Sequence, residues 1–157
     1  MTTKWTVTPE GVDAADAVAL LRAYLLEIIG RYWGRVATEQ EVDRELATGE
    51  DYRLDLLLIA RHDGVPAGCA GLRRVGAETI ELKRVFVRPE FRGQGCAAAL
   101  LAAFEDHAVR LGAREVRLDT RADLVEARAL YAKHGYVELP VPSEGAYNDH
   151  SFSKAVG

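Results

Sequence analysis

Residues 81–111, ELKRVFVRPEFRGQGCAAALLAAFEDHAVRL, change hydrophobic period once. That change divides them into a strand, a loop and a helix. Residues 80–87 are rich in β-branched and aromatic side chains and short enough to form a buried strand. Pro89 ends it, because proline has no N–H to give a sheet ladder. From Gly95 onward Ala97, Leu100, Leu101, Phe104, Ala108 and Leu111 recur mostly three or four apart, on one helical face. Gly112 closes the helix, where a left-handed residue is needed. The loop Arg92-Gly93-Gln94-Gly95-Cys96-Ala97 therefore lies at a helix N-terminus. First-turn N–H groups there lack partners within the helix, and with the helix dipole they favour an anion. Gly93 and Gly95 remove the side chains that would hold a phosphate off the backbone, and Arg92 can add a charge-assisted bond. A tight turn with helix-packing glycines explains the same residues equally well.

Three anion-binding patterns compete for the loop. A P-loop needs Gly-Lys-Ser/Thr, and here Cys96 and Ala97 follow Gly95. Residues 93–98 fit the loose G-x-G-x-x-A dinucleotide pattern, with Asp119 further on, but that fingerprint belongs directly at a strand end and residues 88–92 intervene. The third pattern, Arg/Gln-x-x-Gly-x-Gly/Ala, is met by Arg92, Gly95 and Ala97. With this loop and the strand Arg84-Val85-Phe86-Val87-Arg88-Pro89 before it, the chain resembles the GNAT superfamily of N-acetyltransferases. A second segment, Glu126-Ala127-Arg128-Ala129-Leu130-Tyr131-Ala132-Lys133-His134-Gly135-Tyr136, looks like that family's A-x-x-L-Y-x-K-x-G-F/Y. Many members carry Asn seven residues before the tyrosine; Leu124 stands there in this chain.

The resemblance implies an α/β (α+β) fold. Its central sheet would be mixed but mostly antiparallel, of six to seven strands, with helices on both faces and a splayed parallel pair at the cofactor site. It implies acetyl-CoA as cofactor. The pyrophosphate would be held by Arg92, Gly93, Gln94, Gly95, Cys96 and Ala97, and the pantetheine arm would pair along Val85, Phe86 and Val87. That pairing has the hydrogen-bond logic of strand addition. The backbone N–H of Val85 or a neighbour would hold the thioester oxyanion.

The rest of the chain supplies the frame. Residues 4–8 alternate as a first strand, stopped by Pro9. Asp13 or Asp16 is expected to cap a helix whose apolar stripe runs through Val18, Leu21, Leu25, Ile28, Ile29 and Tyr32, widened by Leu20, Tyr24 and Leu26; the stripe is plain core or, as the resemblance implies, the floor of a substrate pocket. Thr38-Glu39-Gln40-Glu41 matches a capping box opening a second helix, which ends near Thr48-Gly49. Residues 54–61 and 65–74 read as strands joined at His62-Asp63-Gly64, a hairpin signal. With the next strand they form a meander, which argues against a Rossmann unit. Residues 114–120 alternate as a strand parallel to 80–87, because a helix connects the two. A helix over 125–134 and strands over 136–139 and 150–154 complete the chain.

At 157 residues the chain suits one domain, 1–157. Its formal charge of −4, without a basic stripe, gives no sign of nucleic acid. Cys69 and Cys96 are too few for a disulfide framework or a zinc site, and no metal is expected. The N-terminus has no apolar signal region and no run reaches transmembrane length, so a cytoplasmic location away from membranes is expected.

The chemistry implied is amine attack on a thioester. An alkyl ammonium has a pKa of about 10 and must lose a proton first, and the departing sulfur must be protonated or hydrogen-bonded. Tyr131 matches the family's general acid; otherwise it is a core tyrosine with its hydroxyl at the surface. Glu81 is the candidate base; otherwise it belongs to a charge cluster with Lys83 or Arg84. Cys96 sits where a thiol's pKa falls, but direct transfer is expected over an acyl-cysteine. Tyr32 and Trp33, and Tyr147 and Asn148 before the last strand, are candidates to line the acceptor pocket for a small-molecule or peptide amine. A non-catalytic acyl-CoA-binding module remains the other reading, and a homodimer is common among similar proteins.

Overall fold

The computed structural model describes residues 4–48, 53–145 and 148–157. Strand β1 (Thr6–Glu10) is followed by helices α1 (Ala15–Trp33) and α2 (Glu39–Ala47), then by strands β2 (Leu56–His62), β3 (Val65–Arg74) and β4 (Thr79–Val87). A 3-10 turn (Pro89–Phe91) leads to α3 (Cys96–Arg110), β5 (Glu115–Thr120), α4 (Val125–Lys133), β6 (Val137–Glu138) and β7 (His150–Ala155). The seven strands form one sheet in the order β1-β2-β3-β4-β5-β7-β6. Every neighbouring pair is antiparallel except β4–β5. The mixed sheet expected from the resemblance is present.

Strand alternation divides the core in two. Leu58 and Ala60 of β2 join Ala70, Leu72, Ile80, Leu82 and the α3 residues Leu100, Leu101 and Phe104 on one face. Leu57 and Ile59 turn to the other face and meet Leu20 and Leu21 of α1. The β2–β3 turn carries left-handed residues at Asp63 (φ 50°) and Gly64 (φ 80°), the backbone a two-residue hairpin with right-handed strand twist needs.

Two local expectations change. Strand β1 does not stop at Pro9 but runs through it, with Pro9 opposite Leu58. It is an edge strand, so a missing N–H on its outer side breaks no ladder bond. Helix α1 is not capped by Asp13 or Asp16. Its N-cap is Ala14, with no side-chain cap, and Asp16 instead pairs with Arg61 at 2.8 Å. The capping box on α2 is formed, with Thr38 and Glu41 exchanging bonds at 3.1 and 3.0 Å. Arg35 adds an ion pair and holds the Glu41 carboxyl down at about 2.

Two features of β4 position the site. Against β3, the ladder steps from Gly71↔Lys83 to Cys69↔Phe86, so one residue on β3 faces two on β4. This bulge falls at Arg84 and Val85, and Arg84 takes φ 55°, a left-handed value uncommon for a side chain of its size. The bulge also reverses which face later residues meet: Leu82 packs toward α3, Phe86 toward α1. Against β5, pairing is confined to Thr79↔Glu115, Ile80↔Val116 and Glu81↔Arg117. Beyond Glu81 the two strands part.

Candidate active site

The parting of β4 and β5 opens a cleft of about 920 Å³. Its walls come from the C-terminal half of α1, from β4, from the β5–α4 turn and α4, and from residues 143–145 and 148. Ile28, Ile29 and Tyr32, part of the α1 stripe read as either core or the floor of a pocket, line this cleft. The buried part of α1 is instead Ala17, Leu20, Leu21 and Leu25.

At one end stands the turn before α3. Gly93 (φ 73°) and Gly95 (φ 85°) are left-handed, and a Cβ added at Gly93 would meet nothing within 4 Å. The first helical bond runs from the Ala99 N–H to the Gly95 carbonyl at 3.1 Å. Among the described residues, the amides of residues 93–98 donate to no protein acceptor. These donors at a helix N-terminus fit a diphosphate. Arg92 lines the cleft, but here Glu27 accepts from its guanidinium at 2.6 Å and the Val87 carbonyl at 2.9 Å. The Gln94 side chain faces away, donating to the Glu90 carbonyl at 3.2 Å and accepting from Lys4. Only its backbone can serve an anion. Cys96 is buried beneath Gly68, and burial pushes its thiol up to about 11, the reverse of the fall expected at a helix N-terminus. Desolvation outweighs the helix dipole.

Midway lies Phe86, 5% exposed, with the Tyr24 ring edge-on at 6.1 Å and the Arg92 guanidinium at 5.9 Å. Val85 and Val87 line the same wall. Tyr131 faces them from α4. Its ring packs on Tyr136 at 5.8 Å and Phe152 at 6.2 Å. Among the described residues its hydroxyl makes no hydrogen bond. Burial raises the Tyr131 phenol above its ordinary pKa, with the nearby Tyr24 adding to the rise.

At the far end Glu81 and Lys83 project from β4 into the cleft beside Arg73 of β3. The Lys83 ammonium lies 3.1 Å from Glu81 Oε1, at ion-pair distance. That oxygen is buried but off the line of a hydrogen bond. Glu81 and Lys83 thus form a charge pair on the cleft wall. Tyr32 and Trp33 stand at the rim, 49% and 61% exposed, their rings edge-on at 5.0 Å. Asn148 also lines the cleft, while its Nδ2 donates to the Glu144 carbonyl at 3.0 Å. Tyr147 lies outside the described residues. Its neighbours have structural partners: Asp149 accepts from the Ala122 N–H and His150 meets Glu138, each at 2.9 Å.

The cleft therefore gathers Tyr131, Glu81, Val85, Phe86, Val87, Arg92, Ala97, Tyr32, Trp33 and Asn148, whereas Gly93, Gln94, Gly95 and Cys96 are not among its lining residues and adjoin it between Arg92 and Ala97. Sequence reasoning passed over Arg73 and Lys83 as cleft residues. Arg73 reaches the site only through its place opposite Glu81 in the β3–β4 ladder.

Known proteins share this fold. Residues 22–136 match the acetyltransferase (GNAT) family. An uncharacterised N-acetyltransferase of Schizosaccharomyces pombe is 31% identical over 144 residues, covering 83% of this chain and 84% of its own length. Among solved structures, an acyl-CoA N-acyltransferase of Klebsiella pneumoniae described as putative superposes with a TM-score of 0.72 at 24% identity, covering 98% of both chains. A GNAT acetyltransferase of Elizabethkingia anophelis, solved with acetyl-CoA bound, superposes at 0.68 with 18% identity, covering 99% of this chain and 100% of that one. With a cleft where two parallel strands part and unbonded amides adjoining it, this chain belongs to the acetyltransferase (GNAT) family of acetyl-CoA-dependent N-acetyltransferases.

Proposed function

We propose that the cleft transfers an acetyl group from acetyl-CoA directly to a primary amine on a small molecule or peptide. One observation carries this reading. The β4–β5 ladder ends at Glu81↔Arg117, and one cleft beyond it is lined by Arg92 and Ala97, on either side of the glycine turn, together with Tyr131 and Glu81.

The amides of residues 93–98 and the Arg92 guanidinium hold the diphosphate. The exposed edge of β4 at Val85 and Val87 receives the amides of the pantetheine arm. Bound there, acetyl-CoA supplies a thioester carbon for the amine and a sulfur that departs. The N–H of Val85, a residue of the bulge, donates to the thioester oxygen. Glu81 draws a proton from the acceptor ammonium, directly or through a water, and passes it to solvent. Tyr131 Oη, kept protonated by burial, donates to the departing sulfur. A C–N bond forms and a C–S bond breaks. Of the two protons the ammonium loses, one leaves by Glu81 and the other replaces the proton that Tyr131 delivers.

The test is release of free thiol from acetyl-CoA across a broad panel of amines, with acetylated products identified by mass spectrometry. Amine-dependent thiol release is expected. Binding of acetyl-CoA without product from any amine would leave only an acyl-CoA-binding module.

A further inference from the structure

Trp5, immediately before β1, lies far from the cleft in sequence yet touches the turn that bounds it. It is 8% exposed. Its ring meets Phe91 of the 3-10 turn edge-on at 6.0 Å and His62 of the β2–β3 hairpin at 5.7 Å. Its indole Nε1 donates to the Gln94 backbone carbonyl at 3.1 Å. Lys4 beside it donates to Gln94 Oε1, and Gln94 Nε2 donates to the Glu90 carbonyl. Three groups, from Lys4, Trp5 and Glu90, thus hold Gln94.

The peptide unit joining Gln94 to Gly95 is planar and trans, so its C=O and N–H point in opposite directions. Fixing the carbonyl toward Trp5 therefore fixes the Gly95 N–H away from Trp5, on the side where an anion would lie. The turn needs such a hold. A flip of this peptide turns on φ of Gly95, and Gly95, like Gly93 one residue before the pair, is a left-handed residue with access to other backbone regions. A flip of this one plane would place a carbonyl where the diphosphate needs a donor. It would also leave the indole N–H buried without a partner, at the cost of a lost hydrogen bond.

We propose that Trp5 is a positioning residue for the acetyl-CoA diphosphate: its indole N–H locks the Gln94–Gly95 peptide with the Gly95 amide facing the cleft. Trp5 touches neither acceptor nor thioester. Its effect is on donor affinity, and only on the part of the donor that carries the diphosphate.

The test is Trp5→Phe, which keeps an aromatic ring against Phe91 and His62 and removes the N–H. Two donors are compared by calorimetry: acetyl-CoA, and acetyl-pantetheine, which has the thioester arm without the diphosphate. The expected result is an acetyl-CoA Kd raised about fivefold, as loss of one hydrogen bond implies. The acetyl-pantetheine Kd and kcat at saturating acetyl-CoA stay within about twofold of the parent, as expected when only donor binding is touched. An unchanged acetyl-CoA Kd overturns the proposal. So does equal weakening of both donors, which would mark Trp5 as packing alone. Should Trp5→Phe fail to fold, 3-benzothienylalanine at position 5 keeps the bicyclic ring, lacks the N–H, and is read by the same titrations. The inference rests on acetyl-CoA binding at this turn. A parent protein that does not bind acetyl-CoA removes that reading as well, whereas a parent that binds and a variant that matches it removes only the role of Trp5.

Discussion

Replacing Tyr131 by phenylalanine deletes one oxygen from the cleft and leaves the packing in place. The ring contacts with Tyr136 and Phe152, at 5.8 and 6.2 Å, are available to phenylalanine too. The hydroxyl makes no hydrogen bond among the described residues, so no buried partner is orphaned. Folding stability should therefore move by less than about 0.5 kcal/mol. Catalysis should not be spared. A positioned general acid contributes 10²–10⁴-fold in typical enzymes. The leaving thiol here has an ordinary pKa of about 8.5, which places the demand at the lower end. The expected fall in kcat is on the order of 10²-fold, or about 2.7 kcal/mol of transition-state stabilisation. The assay is thiol release at saturating acetyl-CoA and amine, with thermal melting and an acetyl-CoA titration alongside. A kcat within threefold of the parent, with stability and affinity unchanged, would remove Tyr131 from the proton inventory.

Glu81→Gln should abolish or shift the acidic limb of the pH–rate profile; an acidic limb identical to the parent's would leave Glu81 as an ion-pair partner of Lys83 only. Gly68→Ala should destabilise the fold by about 1–3 kcal/mol through overpacking, because the new Cβ would stand 2.6 Å from the Phe86 carbonyl and 3.2 Å from Cys96 Sγ. A melting temperature equal to the parent's would show that β3 and α3 can part without penalty. Glu27→Gln should free Arg92 and tighten acetyl-CoA binding by about threefold at low salt, an effect that shrinks as salt rises; a salt-independent change would point to a cause other than charge. Burial raises the phenols of Tyr131 and Tyr136 in the folded state, so the neutral form is favoured there. Their contribution is then complete below the unfolded value of about 10 and is lost as pH climbs through the folded values. Denaturant melts between pH 8 and 11 should show stability falling on the alkaline side, with a smaller fall in Tyr131→Phe.

Most of the frame was legible because its signals are local. The change of period at Gly95, the hairpin at Asp63-Gly64 and the capping box at Thr38 each depend on residues a few positions apart, and each is present in the structure. What escaped depends on contacts made at a distance. Pro9 sits inside a strand because β1 is an edge, and that is a property of the sheet and not of the residues around Pro9. Asp16 reads as a cap until Arg61, on a strand 45 residues later, takes it. The thiol of Cys96 follows its burial under Gly68, which no helix-terminus argument contains. Arg73 reaches the cleft by ladder register, and the bulge at Arg84 and Val85 has no glycine or proline to announce it. The left-handed turn before α3 was readable from its glycines. The end of the cleft around Glu81 is assembled from α1, β3, β4 and the approach to β7, which only the folded chain brings together.

A calorimetric titration of acetyl-CoA into the protein, with NAD as the competing dinucleotide, bears on whether the turn at residues 93–98 grips the diphosphate of a thioester carrier. One saturable site per chain, displaced by coenzyme A and indifferent to NAD, is the expected result. No heat with acetyl-CoA or coenzyme A, or displacement by NAD in preference to coenzyme A, would contradict it.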